Sequence, residues 1–259
     1  MNRWLGFLFR PLLVAVACGG VLAPRLVAQV TVDDRISQLV DDVKKKSDDQ
    51  ASAIIDGFSK DFSAQSDEDK KKIVAALEKS LNAKRVDGDD KLFEAVVWAF
   101  SNMAELGEKA TVKSLKVPTV DKRRGVLAAA LRSLATHKNP GDVQTMIDYL
   151  VHNEPIVVAG AAEGLGEFGD QPEKIRKQIV GELVKNYASY YSATTNAQAQ
   201  NKEIALAKEK LATVEKPFLG SLNKLTGQEF KDATAAQKWF NDNKSKKWAE
   251  PAAAPPQKN

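Results

Sequence analysis

The chain has 259 residues, and 38 Lys and Arg against 34 Asp and Glu give it a formal net charge of +4. It contains one cysteine and two histidines, His137 and His152. These counts exclude a disulfide framework within the chain and a metal site built mainly from histidine. With 43% hydrophobic residues, the chain can nevertheless bury a sizeable core.

The first 28 residues have the order of a secretory signal peptide. Residues 1–10 carry two arginines and no acid, an apolar run covers 12–23, and the small Ala28 follows at a suitable cleavage position. The apolar run of about twelve residues is short for a membrane span. The sequence therefore predicts an exported protein, periplasmic or secreted, from which 1–28 is removed.

Two alternatives keep this protein at a membrane. Residues 4–23 could remain as an uncleaved anchor helix. Residues 15–18, with the sequence AVAC, resemble a lipobox ending at Cys18, although Ala15 stands where leucine is usual. Membrane attachment is thus expected only through the N-terminal segment, if that segment is retained or lipidated.

The charge of the mature chain argues against a nucleic-acid partner. The segment 1–28 holds three Arg and no acid, so 35 basic and 34 acidic residues remain. A chain close to neutrality, with no dense stripe of Lys and Arg, is a poor binder of nucleic acid. A protein or peptide partner is expected instead.

From residue 31 onward the hydrophobic pattern has a helical period. Residues 31–62 predict two amphipathic helices. Residues 66–81 predict a third, with Ser66 as the capping residue and acids in its first turn. No segment alternates with a period of two for long enough to indicate a sheet. The predicted fold class is therefore all-α.

Three segments repeat at an interval of 31 residues: 95–106, 126–137 and 157–168. Apolar residues align with apolar residues at helical spacing when the three are superimposed, and each segment follows a shorter helical candidate, at 69–83, 108–116 or 140–151. Two helices in each 31-residue unit predict a helical solenoid. Trp98 lies in the first of the aligned helices and is predicted to belong to the core.

The segment 157–166, VVAGAAEGLG, permits a second interpretation. Residues 164–169 contain a G-x-G-x-x-G pattern, which in a dinucleotide-binding fold follows a buried strand and begins a long helix. Here Gly169 is placed as a glycine that ends a helix, and Pro172 suits the first turn of the next one. The glycines at 160, 164 and 166 are therefore predicted to be packing positions, and no cofactor is expected. They should tolerate alanine unless two helices approach closely there.

The stretch PIVVAGAAEGLGEFGD, residues 155–170, resembles the second helix of bacterial HEAT and HEAT-like repeats. The resemblance is specific over 155–170 and weaker over 121–138 and 89–107. Val158 stands where the family usually has arginine, so an inter-repeat ladder built from that arginine is in doubt. The resemblance implies a short right-handed α-solenoid of HEAT-like helical hairpins with atypical N- and C-terminal caps.

A second resemblance lies towards the C-terminus. LNKLTGQEF at 222–230, followed by QKWF at 237–240, is similar to a segment that closes many exported bacterial HEAT-like proteins. No chemistry accompanies that motif. Its apolar residues could cover the exposed face of a last repeat; they are Leu222, Leu225, Phe230, Trp239 and Phe240.

The predicted organisation follows from these patterns. Beyond the signal peptide, the sequence predicts an N-terminal helical cap at 29–66, HEAT-like repeats at 67–192, a C-terminal helical cap at 193–248 and a disordered tail at 249–259. The tail is rich in Pro and Ala and offers little to bury.

Helical solenoids usually bind protein or peptide along a face built from equivalent positions of successive repeats. The 31-residue interval places two rows of residues on such a face: Ser101, Arg132 and Glu163 in one, and Glu105, Thr136 and Glu167 in the other. Arg132 and Glu163 could also simply pair with each other. We therefore expect a non-catalytic scaffold. The alternatives are a membrane-tethered envelope structural protein and, less favoured, a HEAT-like enzyme of the lyase type.

Overall fold

The computed structural model describes residues 30–196 and 198–248, and within them the chain is all-helical with no strand. The predicted signal peptide, Cys18 and the predicted tail at 249–259 lie outside the described residues. Twelve α-helices occur in the described part. They are α1 Val32–Lys45, α2 Asp48–Asp61, α3 Asp67–Ser80, α4 Lys91–Phe100, α5 Ala104–Ser114, α6 Pro118–Asp121, α7 Arg124–Thr136, α8 Val143–Asp148, α9 Pro155–Leu165, α10 Glu173–Thr194, α11 Asn201–Thr226 and α12 Ala233–Asn243.

Helix ends follow the local sequence. The Ser66 hydroxyl accepts a hydrogen bond from the backbone N–H of Asp69 at 3.1 Å, as the capping pattern predicts. Helix α11 begins with a reciprocal cap between Gln200 and Glu203. It ends at Gly227, whose φ of 71° is the left-handed conformation that glycine adopts without strain. Local chemistry therefore explains where several helices start and stop.

The helices pack in two rows. In one row α2, α4, α7, α9 and α11 pack each against the next. In the other, α1 packs against α3 and α3 against α5. One cluster of buried side chains extends through these contacts from Leu39 to Trp248. Each helix of the first row thus buries apolar residues against the helices before and after it.

The predicted 31-residue register matches the buried positions. Four sets of aligned apolar residues are at most 1% exposed in all three segments. The aligned sets are Val96, Leu127 and Val158; Ala99, Ala130 and Ala161; Phe100, Leu131 and Ala162; and Met103, Leu134 and Leu165.

The first repeat nevertheless departs from the predicted single helix over 95–106. Helix α4 ends at Phe100, and α5 starts at Ala104 after a short turn. Gly107 allows this, because a Cβ atom there would lie 2.0 Å from the Phe100 carbonyl oxygen. Only a residue without a side chain lets α5 begin directly against the end of α4.

The prediction that Trp98 belongs to the core is wrong. Trp98 is 65% exposed and lies on the same face of α4 as the exposed Lys91 and Glu94. At the same position of the next two repeats stand Ala129 and Gly160. The neighbouring residues Val97 and Phe100 take the buried space, so the indole lies at the surface.

Residues 157–166 are helical, as predicted, and α9 starts with Pro155 in its first turn. The exception made for close helix approaches applies at Gly160, where a Cβ atom would lie 2.8 Å from the Cα and carbonyl oxygen of Ala128. Gly166 is similarly close to Ser221. These are the close helix approaches for which tolerance was not expected.

The prediction for Gly169 is also wrong in its detail. Helix α9 is followed by a 3-10 turn, Gly166–Asp170, and Gly169 does not have a positive φ. Gly169 instead allows the turn to lie close to α11, because a Cβ atom there would lie 3.1 Å from the Lys224 carbonyl oxygen. Pro172 stands at the N-cap of α10, directly before its first turn.

Candidate functional site

An open groove of about 720 Å³ lies between α11 and the helices α4, α7 and α9. We call it the Trp98 groove. Helices α4, α7 and α9 with the following 3-10 turn contribute one side, and α11 contributes the other. Its lining residues are Trp98, Arg132, Ala135, Thr136, Lys138, Glu163, Gly164, Glu167, Lys216, Pro217, Gly220, Ser221 and Lys224.

The wall formed by α11 packs directly against α9. The buried Ser221 hydroxyl donates a hydrogen bond to the Ala162 carbonyl oxygen at 2.7 Å. Gly166 lies directly against the same serine. Because neither residue leaves space for a larger group, α11 is held at a fixed distance from α9, and the wall of the groove is formed in advance.

The floor of the groove contains small residues. Gly164 lies where α9 approaches α7, since a Cβ atom there would contact the Leu131 carbonyl oxygen and the Ala135 Cβ at 3.1 and 3.2 Å. Gly220 differs, because a Cβ atom added there meets nothing within 4 Å. The space in front of Gly220 is therefore open, with the exposed Trp98 among the other residues of the lining.

Four of the six predicted surface residues line this groove: Arg132, Thr136, Glu163 and Glu167. The Arg132 guanidinium pairs with the Glu163 carboxylate. Lys224 of α11 pairs with Glu167 at 2.7 Å. The predicted ladder pair therefore exists, and a second pair links the 3-10 turn to α11.

The other two predicted residues lie elsewhere. Ser101 caps the end of α4 by donating to the Trp98 carbonyl oxygen at 2.6 Å, and its own carbonyl oxygen accepts from the Thr136 hydroxyl at 3.4 Å. Glu105 pairs with Lys109 within α5 at 2.6 Å and does not line the groove. The early end of α4 explains this, because Glu105 belongs to the next helix.

Sequence reasoning did not assign Trp98 or any residue of α11 to the candidate site. The signal for Trp98 was present, because a tryptophan replaces Ala129 and Gly160 in the 31-residue register. No comparable signal marks Lys216, Pro217 or Gly220. They follow the aligned segments by about fifty residues, and only the packing of α11 on α9 brings them to the groove.

The lining is positively charged overall. Arg132, Lys138, Lys216 and Lys224 face two carboxylates, Glu163 and Glu167. Lys138 pairs at 2.7 Å with Asp170, which lies just outside the lining. Among the residues that the structure describes, Lys216 has no carboxylate within ion-pair distance.

The described residues contain no group of three or more His, Cys, Asp or Glu side chains that could hold a metal ion. None of the helices found in the described ranges is both long enough and apolar enough to cross a membrane. No protein-family model and no curated protein matches the chain.

Proposed function

We propose that this chain is an exported, non-catalytic scaffold of HEAT-like helical hairpins that binds a segment of another protein in the Trp98 groove. The observation that carries the proposal is the 65% exposure of Trp98 beside an open, preformed groove. Tryptophan is enriched among the residues that dominate binding energy, particularly where it is surrounded by a pocket. A groove that is already open requires little ordering when a partner binds.

The solenoid assignment is supported by two observations. Buried positions recur every 31 residues in α4, α7 and α9, and successive first-row helices pack each against the next. In a solenoid each repeat contacts mainly its neighbours, and equivalent positions form a continuous face. Four of the residues on that predicted face line the groove.

A binding role is favoured over catalysis by the character of the lining. Both lining carboxylates, Glu163 and Glu167, are paired with cations. Neither a histidine nor a cysteine is present among the lining residues. General acid–base chemistry usually requires a titratable group with a perturbed pKa that faces the substrate.

Site-specific photo-crosslinking tests the binding proposal. A photoreactive phenylalanine analogue placed at Gly220 has open space in front of it, so the chain should fold and form a discrete protein adduct in the cells that produce it. The control position is Lys208, which is exposed on the same helix but outside the groove. Adding Trp98→Ala should reduce the Gly220 adduct severalfold. No adduct at Gly220, or the same adducts from both positions, would contradict the proposal.

Export is a separate part of the proposal and rests on residues 1–28. The intact mass of the purified protein distinguishes the alternatives. A mass corresponding to residues 29–259 supports secretion or a periplasmic location. A full-length mass supports the uncleaved anchor, and a chain that begins with a lipid-modified Cys18 supports tethering to the envelope.

A further inference from the structure

The charges of the Trp98 groove limit what it can bind. Four of its lining side chains are cationic and two are carboxylates, and Asp170 just outside the lining neutralises a third cation, so one positive charge is left in excess. Arg132, Lys138 and Lys224 are each paired with a carboxylate. Lys216 is the cation that an incoming carboxylate can meet without displacing another.

The cations on α11 also have a useful spacing. Lys216 and Lys224 are eight residues apart, which in a helix corresponds to about 12 Å. Between them Pro217 and Gly220 contribute an apolar stretch of the same wall. An extended chain advances about 3.3 Å per residue, so about four residues would cover this distance.

We infer that the segment bound in the Trp98 groove is a short acidic stretch, in which at least one Asp or Glu flanks a large apolar side chain. The apolar side chain occupies the space in front of Gly220 and contacts the Trp98 indole. The neighbouring carboxylate pairs with the Lys216 ammonium group. This inference rests on the proposed function and specifies the chemistry of the partner.

A random dodecapeptide library displayed on phage provides the probe. The full mature chain is immobilised, and peptides are selected for binding to it and against binding to a Gly220→Trp variant. Gly220→Trp should fill the groove without disturbing the fold, because its side chain starts in open space. We expect the selected peptides to be enriched in Asp or Glu within two positions of an aromatic or large aliphatic residue.

The best selected peptide is then synthesised and its affinity measured with two charge-matched variants. Lys216→Glu should weaken binding about tenfold, because it replaces attraction by repulsion at the carboxylate. Lys208→Glu changes the net charge identically on the same helix but outside the groove, and should leave the affinity within twofold. The affinity should also fall as salt rises from 50 to 300 mM, because exposed ion pairs are screened.

The outcomes separate this inference from the proposed function. Peptides that need the open groove but show no acidic preference, or that bind Lys216→Glu as well as the wild type, would overturn the inference and leave the proposed function standing. Peptides that bind Gly220→Trp as well as the wild type, or a failure to select any peptide, would count against both. Circular dichroism and urea midpoints confirm that each variant is folded.

Discussion

Leu165 tests the repeat register at a single side chain. It is the last residue of α9 and is fully buried, whereas the Glu163 side chain is 43% exposed and pairs with Arg132. Leu165→Ala should lower the free energy of unfolding by about 2–5 kcal/mol through lost burial and a residual cavity. Glu163→Ala should change it by roughly 0.5 kcal/mol or less. Urea midpoints compare the two, and equal midpoints would show that Leu165 is not part of the core.

Two glycines give opposite predictions for the same substitution. Gly160→Ala should destabilise the fold by about 1–3 kcal/mol, because the added methyl group meets the Ala128 backbone at 2.8 Å. Gly220→Ala should stabilise it by up to about 1 kcal/mol, because alanine favours the helix and nothing lies within 4 Å of the new methyl group. Thermal midpoints measure both, and a stabilising Gly160→Ala would contradict the close packing of α7 and α9.

Asp142 predicts a pH dependence of stability. Burial, together with the negative charge of Glu108, raises the pKa of Asp142 to about 6, and its Oδ2 atom is buried without a hydrogen-bond partner. Because the pKa of Asp142 is higher in the folded than in the unfolded chain, its contribution to stability is fully present below pH 3.8, the ordinary pKa. That contribution is lost as the pH rises through about 6. Asparagine cannot ionise, so no charge is buried at position 142 at high pH. Asp142→Asn should therefore stabilise the fold by roughly 1–2 kcal/mol at pH 7.5 and little at pH 4.

Urea titrations at the two pH values measure this difference. Asp148→Asn is the matched control, because Asp148 is exposed and lies six residues further along the chain. A gain in stability that is the same at pH 4 and pH 7.5 would exclude ionisation of Asp142 as its cause.

At the scale of elements, Arg123 connects α7 to the segment before α4. Arg123 is nearly buried, pairs with Asp90, and donates hydrogen bonds to the Arg85 and Val86 carbonyl oxygens at 3.1 and 3.0 Å. Its guanidinium also lies 4.6 Å from the centre of the Phe93 ring. Arg123, which stands directly before α7, therefore ties that helix to the segment that precedes α4.

Arg123→Ala should destabilise the fold by about 1–3 kcal/mol, because it removes the ion pair with Asp90 and leaves partly buried carbonyl oxygens without their donor. Arg123→Lys should recover little, since lysine cannot reproduce the planar set of donors. The neighbouring Arg124 is 63% exposed, although it pairs with Glu154 at 2.7 Å, and Arg124→Ala should cost about 1 kcal/mol or less. Comparable losses in chemical denaturation for the two alanine variants would argue against a structural role specific to Arg123.

At the scale of the whole molecule, the buried cluster does not extend evenly along α10 and α11. The last buried residue of α10 is Tyr187, and the first of α11 is Val214. Amide protection generally increases with the number of buried contacts. Hydrogen exchange should therefore be at least tenfold faster in residues 201–213 than in 214–225 of the same helix. Equal protection along α11 would mean that another surface covers its first half.

The C-terminal aromatic residues pack as a group. Trp239 lies 5.7 Å from Phe230 and 5.3 Å from Trp248, measured between ring centres. The backbone N–H of Trp248 donates to Glu173, and the Arg176 guanidinium lies over its ring. The sequence motif named Phe230 and Trp239 but not Trp248, which is 7% exposed. Trp248 is placed by its contacts with α10, some seventy residues earlier in the chain.

The sequence by itself determined that the described part of the chain is helical and that the apolar positions aligned at 31-residue intervals are buried. Hydrophobic spacing records both properties directly, because a helix turns by a fixed angle at each residue. Val96, Leu127 and Val158 were therefore assigned to the core correctly. Local capping chemistry also gave the start of α3 at Ser66.

Only the tertiary structure decided where α4 ends, that Trp98 is exposed, and that α11 forms the second wall of the groove. Each depends on how closely distant segments approach: Gly107 against Phe100, Gly160 against Ala128, and Gly166 against Ser221. The sequence alone does not show which residue packs against a given glycine. Such contacts are non-local, so hydrophobic periodicity could predict one side of the candidate site but not the residues that face it.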